Sequence, residues 1–450
     1  MLERLRSAVE GVAWPSLPDS AGSSMLAVQL QIEKSQWLKP AGLWELQRAQ
    51  LRLLLEHAVR TVPFYRKRLA PELARLSGSF SLDDYATLPL LTRRDLQTQY
   101  SQLRSERVPS AHGRVFEGAT SGSTGEPVRF TSTDLANFFW QSINLRDHIW
   151  HDRDFGATIA AVRMGGKTII EDNWFGPAGR SLLKTGPLVV VPSELNIDEQ
   201  LDQLLEHQPA YVNGFANNIR ELARASIRRN IRIESLREAR TFGEQIGDEH
   251  RQVCQQAWNV PLTDIYTTRE AGYLALQCPG GTHYHVQSES ALVEVLNQDG
   301  QHCRPGECGR VVVTVMHNFA SPLIRYDLGD FAEVGEACAC GRGLPVLTRI
   351  LGRSRNMLRL QGGGMRWPAL GTAEFLDAAP IRQFRFVQKS FELLEAHFVA
   401  ERPLTETEET AIAGIVTSHL GVRFRINFVY HQNMMVAAGG KCEDFISDLP

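Results

Sequence analysis

No apolar run in this 450-residue sequence is long enough to cross a bilayer. The longest, such as Val189–Val191 and Val311–Val313, fall far short of the ~20 residues a spanning helix needs. The opening stretch MLERLRSAVEGVAWPSLPDSAG carries charge but no apolar core, so no signal peptide is expected and the cytoplasm is the expected location. Neither sign of charge dominates. With 48 Lys+Arg against 51 Asp+Glu the net charge is -3, which offers no general attraction to nucleic acid or to an anionic membrane. Cysteines are few and odd in number, seven in all, which excludes a disulfide framework and points to reduced thiols with metal binding open. The G-x-x-x-x-G-K-[ST] signature is missing, which argues against a P-loop NTPase. Internal repeats, low-complexity tracts and coiled-coil heptads are missing too.

What is present is an ordinary globular composition, 43% hydrophobic and 22% charged, in a chain long enough for two to four domains. Residues 1–40 show no strong period. From Leu43 a helical pattern places Leu51, Leu55, Ala58 and Val62 on one face, and Pro63 ends it. Asp134–Trp150 reads as a second helix. Thr158–Met164, Leu188–Val191 and Ala210–Asn213 read as strands. Ser193 is placed to cap a helix bearing Leu201, Leu204 and Leu205. Strands alternating with helices predict an α/β unit with much parallel sheet. Near residue 286 the texture changes. Leu292–Leu296 and Arg310–Met316 flank Asp299-Gly300 as a β-hairpin. Beyond Arg353 the strands Gln383–Val387, Leu393–Val399 and Phe424–Tyr430, with the capping box Thr405-x-x-Glu408, predict a small α+β unit. The expected organisation is a large N-terminal unit of several subdomains over 1–351 and a small mobile one over 352–450.

Five stretches carry candidate chemistry. Thr120-Ser-Gly-Ser-Thr-Gly125, followed by Glu126-Pro127, combines hydroxyls and glycines that can cradle an anion. Asp264-Ile-Tyr-Thr-Thr-Arg-Glu270 sets a carboxylate on a strand-end loop, where it can hold Mg²⁺ against phosphates. Ser321–Asp330 fixes Asp330 behind a tight glycine, suited to two ribose hydroxyls. Leu351–Asn356 is a polar joint between units. Gly439-Gly-Lys441 offers a lysine that can reach a phosphate.

Taken in order, with Val62–Arg66, Thr241–Glu244, the Gly306–Thr314 hairpin and Trp367-Pro368, these stretches resemble the adenylate-forming superfamily. The resemblance is strongest to phenylacetate–CoA ligase and its CapK-like relatives, and it spans roughly residues 40–450. It implies a two-step reaction. A carboxylate attacks the α-phosphate of ATP to give an acyl-adenylate, and a thiol then displaces AMP. On this resemblance Thr120, Ser121, Gly122, Ser123, Thr124 and Gly125 hold the phosphates, and Glu270 ligates Mg²⁺. Gly243, Glu244, Asp264, Tyr266 and Thr267 frame the nucleotide, while Asp330 takes the ribose. Arg353 and Lys441 serve catalysis, and Arg355 occupies the hinge. The small unit is expected to rotate between the half-reactions. Phe139, Trp140 and Phe215 are expected to line an acid pocket suited to an aromatic acid. CoA is the expected acceptor; a phosphopantetheinyl carrier protein, an amine or nucleotidyl transfer are alternatives. So is a non-catalytic zinc-stabilised binding protein, and a homodimer is allowed.

The sequence departs from the family pattern at several positions. Glu126 stands where lysine is usual before Pro127. Arg269 replaces a small hydroxyl residue and is expected to restore the missing charge. Leu328 replaces threonine, and the hinge residue, commonly Asp or Lys, is Arg355.

A second constellation is Cys278-x₄-His283-x-His285 with Cys338-x-Cys340. Three thiolates and one imidazole suit a closed tetrahedral Zn²⁺ site. The family's pattern favours Cys278, His285, Cys338 and Cys340, with His283 as the alternative to His285. Cys303 and Cys308 are a second choice.

Overall fold

The computed structural model describes residues 2–75, 80–120, 127–368, 370–432 and 443–449. The weakly patterned amino-terminal stretch holds a helix after all, Ser20–Ser35, started by Asp19 accepting from the Gly22 N–H. Its apolar residues are too few and scattered for a clear period. The next helix, Pro40–Thr61, turns Leu51, Leu54, Leu55 and Ala58 inward. Pro63 does not simply end that run. It opens a further helix, Pro63–Arg75, because proline's missing N–H costs nothing at a first helical position.

A hairpin of β1 (Val115–Ala119) and β2 (Arg129–Thr133) precedes the helix Asp134–Trp150, whose first turn is capped by Thr133. The main sheet then follows. Its first half comprises β3 (Ile159–Arg163), β4 (Ile169–Glu171), β5 (Leu188–Pro192), β6 (Tyr211–Gly214), β7 (Glu238–Phe242) and β8 (Leu262–Thr268). Its second half comprises β9 (Gly272–Gln277), β10 (Tyr284–Val286), β11 (Ala291–Leu296), β12 (Cys308–Val315), β13 (Tyr326–Val334) and β14 (Val346–Arg353). The spatial order is β11-β12-β13-β14-β10-β9-β8-β7-β6-β3-β5-β4. Neighbours from β5 through β3, β6 and β7 to β8 are parallel. From β8 to β11 every pairing is antiparallel. Of the parallel strands, β3 (IAAVR) and β5 (LVVVP) read as unbroken apolar runs because successive residues on both faces are buried.

The helix after β5 is Ile197–His207. Its cap is Asn196, not Ser193: Asn196 accepts from Glu199 N while the Glu199 carboxylate accepts from Asn196 N. The acidic Glu199 three residues on completes a capping box at Asn196 that Ser193 lacks.

Past β14, a short ribbon of β15 (Leu358–Arg359) and β16 (Met365–Arg366) leads into a separate four-stranded sheet. It contains β17 (Ile381–Gln388), β18 (Leu393–Ala400), β19 (Arg425–Tyr430) and β20 (Phe445–Ser447), in the order β19-β18-β17-β20. Phe375, Phe384, Phe386, Phe398, Ile412 and Val416 fill its own core. The architecture is thus α/β, a large unit with one long mixed sheet and a small α+β unit. Among the described residues no helix is long and apolar enough to cross a membrane.

Candidate active site

Tyr266, near the end of β8, donates its hydroxyl proton to Asp330 Oδ2 on β13 at 2.9 Å. Asp330 is the register partner of Arg353, the last residue of β14. Antiparallel partners put their side chains on one face, and Arg353 Nε lies 3.6 Å from Asp330 Oδ1. Glu270 sits half-buried in the turn from β8 to β9. Burial raises its carboxyl above the ordinary range; Asp330 adds to this, while its own backbone N–H, Arg353 and Arg93 oppose it. Two carboxylates and two guanidinium groups therefore share one small region.

Arg93 was not among the residues the sequence pointed to. It opens the helix Arg93–Thr98, capped by a Thr92/Asp95 box. The chain just before it is stitched to β13, with Leu91 N donating to Arg325 O and Asp327 N to Leu91 O, both at 2.9 Å. Arg325 is held at φ 49° and buried. Its guanidinium grips Glu294 at 3.0 Å and donates to the carbonyls of Ala86 and Leu88. The capping box was the only local signal, and it says helix start rather than site.

The expected nucleotide residues fall into groups. Gly243 follows β7 at φ 73°, a conformation glycine adopts without strain. Glu244 Oε2 accepts the Asn217 N–H at 2.9 Å, at the start of the helix Ala216–Arg228. Phe215 is the N-cap there and has no acceptor, so Glu244 meets part of that need and places a negative charge at the positive end of the helix. Thr267 Oγ1 donates to Gly272 O at 2.9 Å and braces the turn that carries Glu270. Asp264 is turned into the protein. Its two oxygens accept from Thr241 at 2.6 Å and Tyr284 at 2.7 Å, and burial pushes its carboxyl up to about 6. Arg269 is exposed.

The stretch expected to hold phosphates begins at a closed base. Thr120 N donates to Val128 O at 2.9 Å, and Val128 N donates to Thr120 Oγ1 at 3.0 Å. Ser121, Gly122, Ser123, Thr124, Gly125, Glu126 and Lys441 lie outside the described residues.

The aromatics expected to line an acid pocket are all half-buried. Phe139 stacks on His317, with ring centres 3.6 Å apart and planes 10° apart. Trp140 meets Tyr273 edge-on at 5.2 Å. Phe215 packs against Phe242 at 5.0 Å, and Phe242 and Trp140 border the same core cluster. At the hinge, Arg355 Nη2 donates to Glu443 at 2.5 and 2.6 Å.

A separate cluster brings the predicted thiols and imidazoles together. Donor atoms of Cys278, His283, His285 and Cys338 lie within 4.8 Å of one another. Cys278 Sγ is 3.9 Å from Cys338 Sγ, and His283 Nε2 is 2.9 Å from Cys338 Sγ. Cys340 Sγ stands 3.4 Å from His285 Nε2. Ligands of a tetrahedral zinc are separated by roughly 3.4–3.8 Å, given bonds of about 2.1–2.3 Å. The donor set suits such an ion; the Cys340–His285 separation falls in that range, Cys278–Cys338 lies just above it and His283–Cys338 below it. Burial takes the His285 imidazole down to about 4, which keeps it in the neutral form that binds metals. Cys308 instead lies against Glu333.

No protein-family model matches the chain. Among curated proteins it is similar to the phenylacetate-coenzyme A ligase of Thermus thermophilus, 27% identical over 70% of this chain and 72% of that protein. It is also similar to protein CapK of Staphylococcus aureus, 21% identical over 86% of this chain and 85% of that one. The crystal structure of 2-hydroxyisobutyryl-CoA ligase in its postadenylation state superposes with a TM-score of 0.72 at 17% identity, covering 92% of each chain. The chain has the fold of the adenylate-forming CoA ligases. The same ligase in its thioesterification state superposes less well, with a TM-score of 0.60 at 19% identity over 92% of each chain. A two-domain adenylate-forming ligase fold is what the order of motifs anticipated. The approach of Arg93 to Glu270 and the presence of both histidines in the thiol cluster were not foreseen.

Proposed function

We propose that this protein is an AMP-forming acid–thiol ligase that activates a carboxylic acid with ATP and transfers the acyl group to CoA. The observation that carries the reading is the Tyr266–Asp330–Arg353 constellation with Glu270 beside it. In the first step a carboxylate oxygen attacks the α-phosphorus and pyrophosphate leaves. In the second the thiol sulfur attacks the acyl carbon and AMP leaves, the thiol proton passing to solvent.

The chain's own groups divide this work. Asp330 accepts from the ribose hydroxyls, and Tyr266 and Arg353 fix its orientation. Gly243, Glu244 and Thr267 shape the nucleotide pocket from β7 and β8, while Asp264 supports it from within the sheet. Thr120 to Gly125 bind the β- and γ-phosphates, and Lys441 and Arg353 stabilise charge at the transferring phosphate. Glu270 is the residue suited to hold Mg²⁺, which would neutralise phosphate charge when bound. Phe139, Trp140 and Phe215 favour an aromatic acid, since half-buried rings offer flat apolar walls. A structural zinc is held by Cys278, His283, His285 and Cys338, with Cys340 beside His285; a fully protein-ligated ion stabilises the fold rather than acting on substrate.

Acid-dependent exchange of pyrophosphate into ATP, run over a panel of aryl and fatty acids, tests the first step; thioester formation with CoA tests the second. Exchange with at least one acid, followed by thioester, is expected. No exchange with any acid would sink the proposal. Exchange without a CoA thioester would replace CoA with a carrier protein or an amine.

A further inference from the structure

Among the described residues one ion pair joins the two units, between a buried arginine and a half-buried aspartate. Arg220 lies on the helix Ala216–Arg228 of the large unit and is 1% exposed. Its Nη1 donates to Asp444 Oδ2 of the small unit at 3.1 Å. Its guanidinium also lies over the ring of Phe384, 5.2 Å from the centroid, and Phe384 belongs to the small unit's core. Asp444 is anchored in that unit, because Phe386 N on β17 donates to its carbonyl at 2.8 Å. Its neighbour Glu443 is held by the hinge residue Arg355. The Arg220 helix begins where Glu244 accepts the Asn217 N–H. One helix thus runs from the nucleotide side of the large unit to the small unit.

We propose that Arg220 and Asp444 form a latch that sets the small unit in its adenylating position and must open before the thiol step. This rests on the adenylate-forming reading. Two observations point to a latch rather than a permanent tie. The pair makes a single hydrogen bond, although a guanidinium and a carboxylate can make two. Arg220 Nη2 and Asp444 Oδ1 are both buried without a hydrogen-bond partner among the described residues. A buried pair already loses most of its attraction to desolvation, and two unsatisfied atoms weaken it further. If the units separate, both charges return to water together, so opening costs little. Removing Asp444 alone instead leaves Arg220 buried in the closed arrangement with Glu221, whose Oε1 accepts from Arg220 Nε at 3.2 Å, as its remaining partner, which costs more than opening. Such a pair fixes position without locking it. The position matters for chemistry because Lys441 precedes Asp444 by three residues, at most about 11 Å of extended chain. The arrangement is also the one that superposes better on a postadenylation than on a thioesterification state.

The test separates the two half-reactions. Asp444→Asn and Asp444→Glu are the variants of choice, since Asp444 is at the edge of the contact and its side chain is 24% exposed. Acid-dependent pyrophosphate exchange is measured beside thioester formation from supplied acyl-adenylate and CoA. In Asp444→Asn, exchange is expected to fall at least tenfold while the second half-reaction stays within about twofold. Asp444→Glu is expected to recover part of the exchange. Equal losses in both half-reactions, or no loss in either, would overturn the latch. If the wild type exchanges with no acid, the adenylate-forming reading fails instead. Small-angle scattering then decides the latch alone: a more open profile for Asp444→Asn supports it, and an unchanged profile overturns it.

Discussion

The Tyr266 hydroxyl bonds the Asp330 carboxylate at 2.9 Å, tying the end of β8 to β13 across 64 positions of sequence. The contact leaves Asp330 aimed by two groups, Tyr266 and Arg353. Truncating Asp330 to alanine should raise the KM for ATP by about 10- to 100-fold, the worth of hydrogen bonds to a charged group. Tyr266→Phe should cost less, roughly 3- to 10-fold, because Arg353 still orients the carboxylate. Steady-state kinetics with varied ATP checks both values. A larger effect from Tyr266→Phe than from Asp330→Ala would contradict the assignment.

Arg93 and Arg269 compete as the cation that compensates for Glu126. Arg93 acts on Glu270 electrostatically, whereas Arg269 is exposed. We expect Arg93→Ala to reduce pyrophosphate exchange by about tenfold or more, and Arg269→Ala to stay within about twofold of wild type. Exchange rates of the two variants, normalised to a distant Arg→Ala control, give the answer. The reverse order would return the role to Arg269.

Zinc content offers a check that needs no substrate. Protein purified without a histidine tag should carry about one zinc per chain. His283→Gln and Cys338→Ser should lose it and unfold at lower temperature, while Cys340→Ser should retain it. Retention by His283→Gln together with loss by Cys340→Ser would restore the ligand set favoured by the family's pattern.

Asp264 should leave a signature in the pH dependence of stability. Its folded carboxyl is pushed up to about 6, chiefly by burial, against hydrogen bonds from Thr241 and Tyr284 and the nearby charge of Arg251. Between the unfolded value of about 3.9 and about 6 the folded state therefore holds more protons than the unfolded one. The Asp264 contribution to stability thus falls as pH rises through that window, by roughly 3 kcal/mol in total. Asp264→Asn has no proton to lose, so it should gain on the wild type as pH rises from 4 to 7. Urea unfolding at both ends of the range measures the difference; a constant difference would show that Asp264 is not so perturbed.

Local patterns in the sequence were enough for the class of the fold and for a set of candidate site residues, though not for Arg93. Helical spacing at Leu51, Leu55 and Ala58 and the Val run of β5 are local patterns, and local patterns fix local structure. The chemical types at Thr120, Glu270 and Asp330 and their order along the chain carried the family resemblance. Tertiary structure decided which of these groups meet. Strand register set Asp330 opposite Arg353. Stitching of Leu91 to β13 brought Arg93 towards Glu270. The same folding turned Asp264 inward, drew His283 into the thiol cluster, and closed Arg220 on Asp444 across 224 positions. Spacing along the chain encodes no such long-range pairing, because it is set by how whole sheets and domains pack rather than by any residue's neighbours.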